Sequence, residues 1–149
     1  MERKSICPEE HTDVCGSNIL TIIVERNDCF MNTVLVVDDS ALMRDMIKVM
    51  LSSAGYEIVG EASDGQQAYE KYKMLKPDLT VMDIVMNRVG GIQSLEMIRE
   101  YDPNATVVMC SSMDQEFYVM EALRLGAKEF IVKPLERDDV LEVVSRALQ

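Results

Sequence analysis

The chain has 149 residues, a net charge of −11 and 48% hydrophobic residues. This length is enough for one domain with a full hydrophobic core, and the excess of acids excludes nucleic-acid binding through a basic face. No apolar stretch approaches the roughly 20 residues that a membrane-spanning helix needs. We therefore expect a cytoplasmic protein with no nucleic-acid partner and no membrane insertion.

Residues 1–31 do not share the pattern of the rest of the chain, and we interpret them as an N-terminal extension that is flexible or loosely docked. Zinc binding by Cys7, His11, Cys15 and Cys29 is only weakly indicated, because the usual pairs of ligands two to four residues apart are missing. The apolar run at 19–24 is too short for the core of a secretion signal. Met31 directly precedes the first predicted strand, so translation could also begin there.

From residue 32 to residue 149, short apolar runs alternate with amphipathic stretches. This alternation is typical of a parallel sheet with crossover helices, so we predict an α/β fold: a doubly wound, five-stranded parallel sheet with helices on both faces. The strands are predicted near residues 33–38, 57–61, 78–82, 105–110 and 129–132. The helices are predicted near residues 40–54, 65–76, 91–101, 114–125 and 137–148.

The first predicted helix carries an apolar stripe at i, i+3, i+4 spacing, which we expect to face the core. Its members are Leu42, Met43, Met46, Ile47, Met50 and Leu51. Gly55 is predicted to end the helix. Most of the twelve methionines are interpreted as core residues in the same way, and Cys110 as a buried apolar residue in a reducing compartment.

Polar side chains stand where four of the apolar runs end. Asp38 and Asp39 follow the run 34–37, Asp83 ends the run 79–82, Ser111 follows the run 107–110, and Lys133 follows the run 130–132. Because open α/β sheets bind ligands at the carboxyl ends of their strands, we expect these side chains to meet at one edge of the sheet.

Three carboxylates at one edge are costly. Two of them about 4 Å apart repel by roughly 4 kcal/mol at an effective dielectric of about 20, so a cation or a proton must relieve the cluster. Hard oxygen ligands without a nearby His or Cys favour Mg²⁺. For either acid alone, the simpler interpretation would be that Asp39-Ser40 caps a helix and that Asp83 begins a turn. Together with a hydroxyl and an ammonium, however, the set is suited to phosphoryl transfer.

Four stretches of the sequence together resemble the receiver domain of two-component response regulators, in particular the stand-alone chemotaxis receivers of the CheY type. They are Val34-Leu35-Val36-Val37-Asp38-Asp39-Ser40, Thr80-Val81-Met82-Asp83-Ile84, Met109-Cys110-Ser111-Ser112-Met113, and the run from Gly126 to Phe130 that continues as Ile131-Val132-Lys133-Pro134. The resemblance covers about residues 32–149. It implies the flavodoxin-like strand order 2-1-3-4-5, for which CheY is itself a standard example.

The resemblance also implies a role for each polar residue at the strand ends. Asp83 would be the phosphoacceptor, with Lys133 and Ser111 completing the catalytic set and Mg²⁺ as the cofactor. The implied metal ligands are Asp38, Asp39, Asp83 and the main-chain carbonyl of Val85. Ser111 would be the switch hydroxyl and Phe130 the switch aromatic. Such a protein is a phosphoacceptor switch, which catalyses only its own phosphorylation and dephosphorylation.

The chain departs from the family after the phosphoacceptor. Where the family usually has Met-Pro-x-Met-Asp-Gly, this chain has Met86-Asn87-Arg88-Val89-Gly90-Gly91. Loss of the proline frees φ, so we expect a looser loop and looser metal geometry. Ser112 stands where the family usually has a small Ala.

Too few residues follow Asp138 for a further domain, so we expect signalling by docking. The predicted function is a single-domain response regulator that takes a phosphoryl group from a sensor histidine kinase and binds a motor or switch target, in chemotaxis or motility. The alternative is a phosphorelay intermediate that passes the group to a histidine phosphotransfer protein. A receiver that is never phosphorylated is disfavoured, because Asp38, Asp39, Asp83, Ser111 and Lys133 are all present.

Overall fold

The computed structural model describes residues 31–112 and 114–149, in which five strands alternate with five helices. The strands are β1 Thr33–Val37, β2 Glu57–Ala62, β3 Leu79–Asp83, β4 Val107–Ser111 and β5 Glu129–Val132. The helices are α1 Ala41–Ser53, α2 Gly65–Leu75, α3 Gly91–Tyr101, α4 Glu116–Arg124 and α5 Arg137–Ala147. The ends of these elements lie within about two residues of the predicted ones.

All neighbouring strands are parallel, and the sheet has the order β2-β1-β3-β4-β5. The predicted fold class is therefore confirmed. Strand order reverses at β1, which pairs with β2 on one side and β3 on the other. A crevice opens at such a reversal, beyond the carboxyl ends of the strands, because the following loops leave in opposite directions.

The core consists of two layers, one on each face of the sheet. Helices α2, α3 and α4 cover one face, where Leu35 and Met82 point. Helices α1 and α5 cover the other face, where Val36 and Val81 point. Because both faces are covered, β1, β3 and β4 are buried along their whole lengths and read as continuous apolar runs rather than as alternating ones.

Side-chain caps fix the N-terminal ends of α1 and α2. The Ser40 hydroxyl accepts a hydrogen bond from the Met43 N–H at 3.3 Å, and the Asp64 carboxylate accepts one from the Gln67 N–H at 2.9 Å. Helix α1 ends just before Gly55, whose φ of +97° favours glycine. Gly55 therefore ends the first helix as predicted.

Part of the predicted core stripe of α1 was wrong. Ile47 and Leu51 are fully buried and Met43 and Met50 pack against them, but Leu42 is 70% exposed and Met46 is 37% exposed. The reason is that α1 packs on one face of the sheet and beside α5, and these neighbours cover a narrower stripe of the helix than the sequence pattern indicates. Cys110 is buried, as predicted.

The predictions made for residues 1–30, including the weak zinc site, lie outside the described residues. None of the helices that are described has the length and apolar character needed to cross a bilayer.

Thr80 generates a prediction about stability. It is fully buried between Leu35 and Val107 of the neighbouring strands, and its hydroxyl has no hydrogen-bond partner among the described residues. A buried hydroxyl without a partner costs about 1–3 kcal/mol. We expect Thr80→Val to leave the free energy of unfolding unchanged or to raise it by up to that amount, as measured by urea denaturation.

The matched control is Val36→Thr, which places the same hydroxyl at a fully buried position on the opposite face. It should lower the free energy of unfolding by about 1–3 kcal/mol. A clear loss of stability in Thr80→Val would show that this hydroxyl is satisfied in solution.

Candidate functional site

The structure brings the predicted polar residues to one edge of the sheet. Asp38 directly follows β1, Asp83 is the last residue of β3, Ser111 is the last residue of β4, and Lys133 directly follows β5. The backbone also joins these strand ends, since the Ile84 N–H donates to the Cys110 carbonyl at 3.0 Å and the Lys133 N–H donates to the Ser111 carbonyl at 2.7 Å. The carboxyl ends of β3, β4 and β5 therefore form one continuous edge of the sheet.

Three carboxylates form a cluster at the centre of this edge. One oxygen of each of Asp38, Asp39 and Asp83 lies within 4.8 Å of the others. Asp38 and Asp83 are buried, whereas Asp39 is exposed. The Asp38 carboxylate accepts a hydrogen bond from the Ser40 N–H at 2.9 Å, which fixes its direction.

Lys133 supplies the ammonium of the cluster. Its Nζ lies 3.2 Å from Asp83 Oδ1 and 3.5 Å from Asp38 Oδ2. Burial alone would lower the pKa of Lys133, but the attraction of Asp83 and Asp38 outweighs it, so the pKa is raised. The side chain is therefore a permanent cation at neutral pH.

The three negative charges of the cluster outnumber its one positive charge, and this excess affects the pKa of Asp83. Burial and the nearby Asp38 carboxylate raise the pKa of Asp83 from 3.8 to about 6, although Lys133 opposes the shift. Asp39 adds a smaller repulsion. One ammonium does not compensate three carboxylates, so a further cation would relieve the cluster.

The donor set fits a hard divalent cation. The three converging side chains offer carboxylate oxygens, which Mg²⁺ prefers. Val85, the fourth predicted ligand, lies in the loop just after Asp83 with its side chain about half exposed. Its carbonyl as a metal ligand stays a prediction.

Ser111 is the last residue of β4, and Phe130 lies on the neighbouring strand β5. Ser111 is fully buried and its hydroxyl has no hydrogen-bond partner among the described residues. Phe130 is 38% exposed. A groove of about 420 Å³ lies between α4 and β5, lined by Ser111, Ser112, Glu116, Val119, Met120, Leu123, Phe130 and Val132. Ser111 and Phe130 thus line the same groove, although the Ser111 hydroxyl itself is buried beneath its surface.

Arg44 is a part of the site that the sequence analysis missed. Its guanidinium donates to the Asp38 carbonyl at 2.7 Å and to the Glu61 carboxylate at 2.8 Å, so it ties the peptide between the two acids to β2. The available signal was a basic residue one turn into the helix that the acid pair precedes.

Comparison with known proteins shows which family this chain resembles. The model of the response regulator receiver domain family matches residues 34–145. The chain is 49% identical over 113 residues to the chemotaxis protein CheY of Thermotoga maritima, a match that covers 76% of this chain and 94% of that protein. It is 49% identical over 115 residues to the chemotaxis protein CheY of Bacillus subtilis, covering 77% of this chain and 96% of that protein.

A solved structure shows the same arrangement of the chain. The crystal structure of the CheX-CheY-BeF₃-Mg²⁺ complex from Borrelia burgdorferi matches with a TM-score of 0.78 and 38% identity, covering 82% of this chain and 93% of that one.

The raised pKa of Asp83 predicts how stability depends on pH when divalent cations are removed with EDTA. The folded protein holds the proton more tightly than the unfolded chain, because the pKa rises from 3.8 to about 6 on folding. Stability therefore falls as the pH rises from about 4 to about 6. Asp83→Asn cannot ionise, so at pH 7.5 it should be more stable than the wild type by about 1–3 kcal/mol.

Urea denaturation of both proteins between pH 3.5 and pH 7.5 measures this difference. It should shrink as the pH falls through the range from about 6 to about 4. An advantage of Asp83→Asn that is equal at all pH values would contradict the assignment of the cost to ionisation.

Proposed function

We propose that this chain, which belongs to the response regulator receiver family, accepts a phosphoryl group on Asp83 and signals through the surface that this modification changes. The observation that carries the proposal is the buried Asp83 carboxylate, placed between two further acids and 3.2 Å from the Lys133 ammonium. These residues together supply a nucleophile, a cation site and an anion-binding group in one crevice.

The chain is a response regulator of the chemotaxis type. The matched CheY proteins are covered over almost their whole length, so the likeness is to entire stand-alone receivers. A phosphorelay intermediate is not favoured, because the CheY proteins among the matched relatives are chemotaxis proteins. The proposed partners are a sensor histidine kinase as donor and a target that binds the phosphorylated form, such as a motor component or a protein of the CheX kind. We place this exchange in the cytoplasm.

The proposed reaction uses the residues as they lie. An ionised oxygen of Asp83 attacks the phosphorus of the donor phosphohistidine, the P–N bond breaks, and its electron pair leaves with the imidazole nitrogen. Asp83 is ionised at neutral pH, since its pKa is about 6. The Lys133 ammonium lies 3.2 Å from Asp83 Oδ1, so it is close enough to stabilise the charge on the transferred oxygens. Self-catalysed transfer and hydrolysis at Asp83 are thus the whole of the proposed chemistry.

Asp38, Asp39 and Asp83 would hold Mg²⁺, with the Val85 carbonyl as the main-chain ligand. When bound, the ion neutralises charge that the phosphoryl group would otherwise meet. The support for this proposal is the convergence of three hard oxygen ligands and the excess of negative charge that raises the pKa of Asp83.

Ser111 and Phe130 would transmit the signal. An aspartyl phosphate adds about −1.5 to −2 charges and new acceptor oxygens, and the buried Ser111 hydroxyl needs such an acceptor. Its movement would vacate space for the Phe130 ring, which lines the groove between α4 and β5, to turn inward. Burial of the ring contributes roughly 1.5–3 kcal/mol, so the surface formed by α4, β5 and α5 would change at little cost.

Asp83 should be the sole site of phosphorylation. Incubation with acetyl phosphate and Mg²⁺ should add one phosphoryl group to the wild type, seen by intact-mass spectrometry, and none to Asp83→Asn. Asp39→Ala should react far more slowly and should lose the rise in melting temperature that Mg²⁺ causes in the wild type. Undiminished phosphate on Asp83→Asn would remove Asp83 from the mechanism.

The switch residues should separate phosphorylation from signalling. Ser111→Ala should still take up phosphate on Asp83 but gain less affinity for the target with beryllofluoride than the wild type does. Phe130→Ala should show equal affinity in both states, because the ring that distinguishes them is gone. The measurement is target affinity with and without beryllofluoride; equal gains in all three proteins would mean that neither residue transmits the signal.

A further inference from the structure

The β3–α3 loop, residues 84–90, is the segment in which this chain departs from its family. It directly follows Asp83, contains Val85, and has Asn87 where the family usually has proline. Arg88 in this loop has a φ of +65°, a left-handed conformation that is unfavourable for a residue with a side chain. Contacts outside the loop must therefore hold this shape.

The two ends of the loop are held together by a close approach of the backbone at Gly91 to that of Asp83 and Ile84. The Gly91 N–H donates to the Ile84 carbonyl at 2.9 Å, which closes the loop on itself. A Cβ at Gly91 would lie 2.1 Å from the carbonyl oxygen of Asp83. The first residue of α3 thus rests against the backbone of the phosphoacceptor, and only glycine fits there.

A second contact holds the loop at Val89, against the first residue of α2. The Gly65 N–H donates to the Val89 carbonyl at 2.8 Å, and a Cβ at Gly65 would lie 2.7 Å from that same oxygen. Arg88 reaches Asp64 at 3.5 Å across this contact, but its side chain is mostly exposed, so the ion pair adds little. The main attachment is the backbone hydrogen bond of Gly65.

Ser94 completes the attachment from α3. It is fully buried, and its hydroxyl donates to the Gly65 carbonyl at 2.8 Å. A chain of two hydrogen bonds therefore runs from Ser94 through the Gly65 peptide groups to Val89. Loss of the Ser94 hydroxyl would remove the side-chain hydrogen bond that joins α3 to the residue holding the loop.

We infer that Ser94 and Gly65 are positioning residues for phosphoryl transfer: through Val89 they hold the β3–α3 loop in the shape that aims Asp83 and the Val85 carbonyl at the cation site. The inference rests on the proposed function. In this chain, tertiary contacts with α2 and α3 take the place of the proline as the source of loop rigidity. Groups that do not touch the metal but orient its ligands commonly affect metal affinity in this way.

The same two helices offer a matched control. Tyr72 of α2 donates to the carboxylate of Asp102, which caps the C-terminal end of α3, at 2.7 Å. Ser94→Ala and Tyr72→Phe therefore each remove one side-chain hydrogen bond between these helices, the first beside the loop and the second at the far end. Both should lower the melting temperature without Mg²⁺.

Only Ser94→Ala should change the site. Mg²⁺ affinity, measured by calorimetry without a phosphodonor, should weaken about tenfold in Ser94→Ala and less than twofold in Tyr72→Phe. Amide hydrogen exchange of residues 84–90 should accelerate in Ser94→Ala alone. Equal Mg²⁺ affinity and equal loop exchange in the two variants would overturn the inference while leaving the proposed function standing. A wild type that binds no Mg²⁺ and accepts no phosphate would overturn both.

A measurement on the wild type keeps the inference testable if Ser94→Ala does not fold. Gly65 is not a predicted metal ligand, but its N–H is bonded to the loop. Saturating Mg²⁺ should therefore slow hydrogen exchange at the Gly65 amide together with the amides of residues 84–90. Slower exchange in the loop with no change at Gly65 would overturn the inference.

Discussion

The structure is organised around the mutual repulsion of three carboxylates that one ammonium does not neutralise. Asp38, Asp39 and Asp83 come within 4.8 Å of one another, and burial with Asp38 holds the pKa of Asp83 near 6. Other groups hold the acids in place against this repulsion: the Ser40 N–H on the Asp38 carboxylate and Arg44 on its carbonyl. A site stabilised in this way is poised for a cation and for an anion that the cation accompanies, which is the requirement of phosphoryl transfer.

Rigidity in this site comes from close backbone contacts rather than from stiff residues. Gly91 rests on the Asp83 carbonyl, and Gly65 rests on Val89. Each glycine costs conformational entropy in the unfolded chain, but it lets two backbones meet where a side chain would separate them. In the inference drawn above, these contacts with α2 and α3 hold the loop at Asn87, where the family usually has proline.

The path from the site to the surface is short because the strands are parallel. Ser111 ends β4 at the acid cluster, and both Ser111 and Phe130 of the neighbouring strand line the groove between α4 and β5. Exposed apolar side chains surround this groove on α4, among them Phe117 and Met120. A charge added at Asp83 on β3 is thus separated from Phe130 on β5 by β4 alone, and in the proposed switch a movement of the Ser111 hydroxyl alters the surface that a partner contacts.

The sequence by itself determined the fold class and the membership of the site. Alternating apolar runs and amphipathic stretches predicted the parallel sheet, and polar residues at the ends of those runs predicted one rim carrying Asp38, Asp83, Ser111 and Lys133, because the carboxyl ends of parallel strands lie together. Only the tertiary structure decided which apolar residues are covered, since the exposure of Leu42 depends on how little of α1 its neighbours reach. It also decided what holds the site. Arg44, Gly65 and Ser94 act through contacts between segments 17 to 29 residues apart, and no local pattern encodes contacts that exist only once the helices have packed.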